Sequence, residues 1–186
     1  MTRKISFLML GVFLSLAARA AAAEAPAPQD PAWEYYIKSQ KKIQVAFHHL
    51  VRLHLHDLKD LIQDSLEYQL AVADQKSERF YYLMTHAPER IVRNQGFNAF
   101  VNFPWTGEDE AAIAAGSKVF RKRQKALDKL KQKVEGDPNY QTILTQLSSL
   151  SRDNDYQHIQ ARFRYVPQGV ESILAGKGIP DDASDF

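Results

Sequence analysis

Residues 32–87 read AWEYYIKSQKKIQVAFHHLVRLHLHDLKDLIQDSLEYQLAVADQKSERFYYLMTHA, with neither proline nor glycine in the stretch. Their apolar side chains keep helical time. At 100° per residue, Trp33, Tyr36, Ile37, Ile43, Phe47, Leu50, Val51, Leu55, Leu58, Leu61 and Ile62 fall on one broad face. Leu66, Val72, Ala73, Phe80, Leu83 and Met84 continue it. That spacing predicts helix throughout, and one unbroken helix would run about 80 Å at 1.5 Å per residue. Either the molecule is elongated or the helix breaks; the expected break is Asp74 to Ser77, where apolar residues thin out.

Asp30 followed by Pro31 predicts an N-cap with proline at the first helical position. Residues 24–31 are proline-rich and read as a tether. Before them, Arg3 and Lys4 precede the apolar run Ile5 to Ala18 and the small residues Ala21-Ala22-Ala23. This is the three-part layout of a removable export signal over residues 1–23, with cleavage expected after Ala23 and Ala20 as the alternative. On that reading 186 residues less 23 leaves 163, enough for one domain, the helical part spanning 32–176. No later segment has the ~20 apolar residues that a membrane span requires. The expected location is therefore the bacterial periplasm or the exterior.

Downstream, Pro88 is expected to open a short helix through Ile91, Val92 and Gln95. GFNAFVNFPW, residues 96–105, reads as an aromatic corner. Thr106, three residues before Asp109, is placed to cap a helix over 108–135. Along it Ile113, Gly116, Phe120, Arg123, Leu127, Leu130 and Val134 form a narrow coiled-coil-like seam. Gly136-Asp137-Pro138 signals a stop and restart. Ile143, Leu144, Leu147 and Leu150 mark the next helix, continuing through Tyr156, Ile159, Phe163 and Val166 until Pro167 kinks or ends it. Residues 177–186 form an acidic tail expected to be flexible. Strand alternation is absent, so the fold class expected is all-α: an elongated antiparallel bundle or helical hairpins with one long N-terminal helix.

Cysteine is absent, which excludes disulfides, thiolate metal sites and thiol nucleophiles. The 24 lysines and arginines include Arg3, Lys4 and Arg19 of the signal; without those three, against 22 acids, the mature charge is −1. A near-neutral total argues against nucleic acid as a partner. The charges are nonetheless segregated. Between 57 and 78, Asp57, Asp60, Asp64, Glu67, Asp74 and Glu78 outnumber Lys59 and Lys76, whereas eight bases between 118 and 133 face only Asp128. If the chain reverses between 88 and 107, residue 118 falls near 77 and residue 133 near 62, and the two blocks pair within the fold.

Four of the six histidines, His48, His49, His54 and His56, fall within nine residues. Imidazole clusters invite a metal or haem reading. The candidate ligands are His49, His54, His56 and Asp60, but no two of these histidines have the i, i+3 or i, i+4 spacing of a single-helix chelate. A solvated polar face explains His49, His56 and Asp60 as well, and His54, on the apolar stripe, reads as a core histidine satisfied by a hydrogen bond. No cofactor is predicted.

Two segments are candidate partner surfaces. Phe97, Phe100, Phe103 and Trp105 could form an exposed aromatic tip, although corner aromatics are more often buried. The basic run with Lys118, Arg121, Lys122, Arg123 and Lys125 could meet a protein partner or an anionic envelope surface, or it could be a solvated or internally paired face. No G-x-S-x-G, H-E-x-x-H, P-loop or dinucleotide fingerprint occurs. The expectation is a non-enzymatic, adaptor or chaperone-like helical scaffold of the bacterial envelope, with a protein partner and self-association into a homo-oligomer both compatible with its long helical surface. The alternatives are a metal- or haem-binding bundle and a carboxylate-based hydrolase.

Overall fold

The computed structural model describes residues 29–179, so residues 1–23 read as a signal, most of the tether and the end of the acidic tail lie outside the described residues. The described chain is all-α, with no strand. Its principal helices are α1 (Pro31–His54), α2 (Lys59–His86), α3 (Phe97–Val101), α4 (Gly107–Gly116), α5 (Lys118–Glu135), α6 (Tyr140–Ser149) and α7 (Asn154–Leu174).

The long apolar stripe breaks at Leu55–Leu58, not at Asp74–Ser77, which lies inside continuous α2. Leu55 leaves helical geometry (φ −125°, ψ 67°), and a single 3₁₀ turn, His56–Leu58, reverses the chain. Reversal lets the two halves of the stripe cover each other, which a straight helix could not do. The ends are charge-matched to the helix dipoles: Arg52 and His54 close α1, and Asp60 lies in the first turn of α2. The pairing is antiparallel along its length. Trp33 stacks on Phe80 at 4.0 Å between ring centroids and donates through Nε1 to Ser77 Oγ at 3.1 Å. Further along, Lys41 pairs with Asp74, and His48 meets Ser65.

Two more helices flank this hairpin. α7 packs on α1 and α5 on α2. Both run antiparallel to the helix they cover: Tyr35 lies against Gly169 and Phe47 against Tyr156 on one side, while Glu78 meets Arg123 and Asp64 meets Lys133 on the other. One apolar cluster joins Trp33, Phe80, Leu83, Phe100, Val166 and Val170; a second joins Leu50, Val51, Leu61, Ile62, Ile143 and Leu150 near the hairpin turn. Each fully buried side chain of this size contributes about 1.5–3 kcal/mol.

The caps explain several boundaries. Asp30 accepts from Trp33 N at 2.9 Å, as expected for α1. Thr106 and Asp109 form a reciprocal capping box at α4. The expected helix 108–135 is two helices, because Ser117 caps a new start by accepting from Phe120 N at 3.0 Å. Asp153 likewise starts α7 afresh rather than continuing α6. Pro88 opens only a 3₁₀ turn, Pro88–Arg90. Pro167, expected to kink or end its helix, is carried inside α7, which runs on to Leu174 with Val166 and Val170 fully buried on either side of it.

Candidate functional site: the outer face of helix 5

α5 is held from one side. Phe120, Leu127 and Val134, spaced by seven, are its buried residues, and α2 is the main helix beneath them. Arg123 pairs with Glu78, and Lys133 Nζ lies 2.6 Å from Asp64 Oδ2, so the acidic and basic blocks of the sequence do lie side by side. Donating to the Asp64 carboxylate raises the pKa of the Lys133 ammonium. Gln75 and Gln124 bond across the same seam. A cleft of about 380 Å³ between the two helices is floored by Ala71, Ala126, Leu127 and Leu130.

These contacts divide the predicted basic residues. Arg123 faces α2, and Arg121 donates to the backbone carbonyls of Ala114 and Ala115 at the end of α4. Lys118, Lys122 and Lys125 are exposed, and so is Lys129, which lies outside the sequence-predicted set. The spacing 4, 3, 4 brings these four to one stripe about 16 Å long on the flank away from the buried residues. None of the four forms an ion pair among the described residues. The acids of α5 are Asp128 and Glu135, neither on the stripe. What this face can do is attract and orient negative charge.

The aromatic corner is part of the core. Phe100 is fully buried and Phe103 is 9% exposed; both set ring edges against Trp33. Phe97 is half-buried against Tyr36, and Trp105 is half-buried with Nε1 donating to Glu110 Oε2 at 2.7 Å and Arg79 stacked at 5.3 Å. The segment therefore closes the end of the hairpin instead of projecting as an exposed tip. Gly96 makes the corner possible: its φ of 83° suits glycine, and the N–H of Phe97 next to it donates to Glu171 on α7.

The histidines are redistributed relative to expectation. His54 is exposed, because α1 ends there and the buried stripe stops at Val51. The half-buried histidine is His48. Its Nδ1 lies 2.7 Å from the Gln44 carbonyl and its Nε2 3.0 Å from Ser65 Oγ, a pattern that fits a neutral ring donating to the carbonyl and accepting from the hydroxyl. Burial lowers its pKa. It lines a pocket of about 220 Å³ with Phe47, Tyr156 and Gln160. His49, His56 and Asp60 are exposed, and the structure does not bring them together with His54 as ligands. Among the described residues no group of three or more histidine, aspartate or glutamate side chains is placed to share a metal ion. No helix among them is long and apolar enough to cross a membrane.

These features define an all-α protein with a one-sided basic helix. No protein-family model, curated protein or solved structure matches the chain.

Proposed function

We propose that this chain is a non-enzymatic binding protein of the bacterial envelope, exported by its N-terminal signal, and that it holds an acidic protein partner against the lysine stripe of α5. The observation that carries this reading is the alignment of Lys118, Lys122, Lys125 and Lys129, none of them ion-paired among the described residues. Like charges at i, i+4 destabilise a helix, and lysine in a first turn opposes the helix dipole. α5 does both and has no acid in its first turn. An acidic helical face would relieve that repulsion, much as Glu78 and Asp64 of α2 already pair with Arg123 and Lys133. Local rules broken without an internal gain mark sites kept for something outside the fold.

The test is affinity capture from envelope extract by the mature protein and by a K118Q/K122Q/K125Q/K129Q variant. All four side chains are exposed and their mutual repulsion is removed, so the variant should melt no lower than the parent. An acidic protein retained by the parent, released by salt and lost from the variant supports the reading. Equal recovery by both proteins, or retention of anionic phospholipid vesicles and no protein, overturns it.

A further inference from the structure

The opposite flank of the hairpin carries a second basic surface of a different kind. Along α1 no aspartate or glutamate occurs between residues 35 and 56, and along α7 none occurs between 156 and 170. Lys38, Lys42, Arg52, Arg162 and Arg164 are all exposed on these two helices, and none is ion-paired among the described residues. By contrast Lys41, next in sequence to Lys42, turns to α2 and pairs with Asp74. The two acid-free segments face each other, because Tyr35 meets Gly169 and Phe47 meets Tyr156.

Between them runs a groove of about 420 Å³, lined by Ile43, Val45, Ala46 and Ile159 with Lys42, His49 and Arg162. Its volume lies within the range of small-molecule sites. The antiparallel register sets Lys42 level with Arg162, so two cations share one end. His49 lies seven residues, or about 10 Å, further along α1. The first carboxylate of α7, Asp155, comes level with His49, and Arg52 lies one turn beyond it on α1; of the permanent cations, Lys42 and Arg162 are the two that line the groove itself. The floor is apolar in between, and Val45 is 48% exposed.

We infer that this groove binds the single acyl chain of a free fatty acid, with its carboxylate between Lys42 and Arg162 and its chain along Val45 and Ile159 toward His49. Paired cations at one end select the head, and the apolar floor favours a chain over a simple anion. The groove lies between two helices in van der Waals contact, which suits one chain in a cleft better than a flat bilayer. The inference stands apart from the α5 stripe and shares no residue with it.

The experiment titrates the folded mature protein with decanoate, decylamine and acetate, following calorimetry and backbone amide shifts. Decanoate should bind with its largest shifts at residues 42–49 and 159–162; acetate should not bind, and decylamine should bind at least tenfold more weakly. K42Q/R162Q should weaken decanoate at least tenfold, and V45D should do the same from the chain side without removing either cation. Decylamine matching decanoate, shifts centred on α5, or variants that bind as the parent does would each overturn the inference. So would binding only to anionic phospholipid vesicles. The comparison of decanoate with decylamine uses the parent protein and decides the matter even if a variant misfolds.

Discussion

Replacing Gly169 by alanine tests the contact that sets the register of α7 on α1. A Cβ built there would lie 2.5 Å from both Cε1 and the hydroxyl oxygen of Tyr35 and 2.6 Å from Cζ, about 1 Å short of ordinary contact. The three atoms belong to one rigid phenol that is 7% exposed, so no small torsion clears the clash. At an unobstructed helical site the substitution would stabilise by about 1 kcal/mol. Overpacking a filled interface costs about 1–3 kcal/mol, and three atoms of one buried ring within 2.6 Å put this case at the upper end. The net expectation is a loss of about 1–2 kcal/mol, a fall in Tm of about 2–8 °C for a domain of this size. Urea and thermal unfolding followed by circular dichroism will measure it. In a Tyr35→Ala background the same alanine should cost nothing further, because its clash partner is gone. A Gly169→Ala protein as stable as the parent, or a loss independent of Tyr35, would refute the contact and with it the alignment of Lys42 with Arg162.

Two further outcomes are expected. His48 is held neutral by burial, with its pKa lowered from the ordinary value near 6.5. Below that value the unfolded chain binds the extra proton first, so this contribution is complete at neutral pH and is lost as pH falls through about 6.5 toward the folded value; His48→Gln should flatten the fall in urea midpoint between about pH 7 and 5, and an unchanged slope would count against it. At the other end of the hairpin, Asp109 receives two bonds of 2.8 Å from the Arg90 guanidinium and one from Thr106 N, which hold its carboxyl well below the ordinary range. Its contribution is therefore present above about pH 4 and lost as pH falls below that. Asp109→Ala should cost about 1 kcal/mol at pH 7 through the capping box, a difference that must vanish in strong acid.

Much of the fold was legible because burial writes its period into the chain. The stripe from Trp33 to Met84, the Asp30-Pro31 start and the Thr106 to Asp109 cap all describe local rules that the tertiary structure obeys. The hairpin turn was not read, since Leu55–Leu58 contains no glycine or proline and its leucines continue the stripe without a gap. A signal was nevertheless present. Bases at 52 and 54 followed by acids at 57 and 60 are what one helix end and the next helix start call for. The misplacement of the core histidine follows from that one miss: on an uninterrupted helix His54 belongs to the stripe, but with the chain reversing after it, His48 is the imidazole that reaches the facing helix at Ser65.

Surface chemistry was harder to read because charge counts run along the chain whereas helices sort charge by angle. Consecutive residues of the basic run point 100° apart. Arg123 is therefore spent on Glu78 and Arg121 on the end of α4, while Lys129, seven residues beyond Lys122, joins the exposed stripe. The same sorting hides the second surface. A near-neutral total says nothing of where charge lies once the acids of α2 have paired with Lys41, Arg123 and Lys133. What remains is basic on both flanks of the hairpin. The sequence feature that would have revealed it is the length of chain without a carboxylate, on two helices that only the fold brings together.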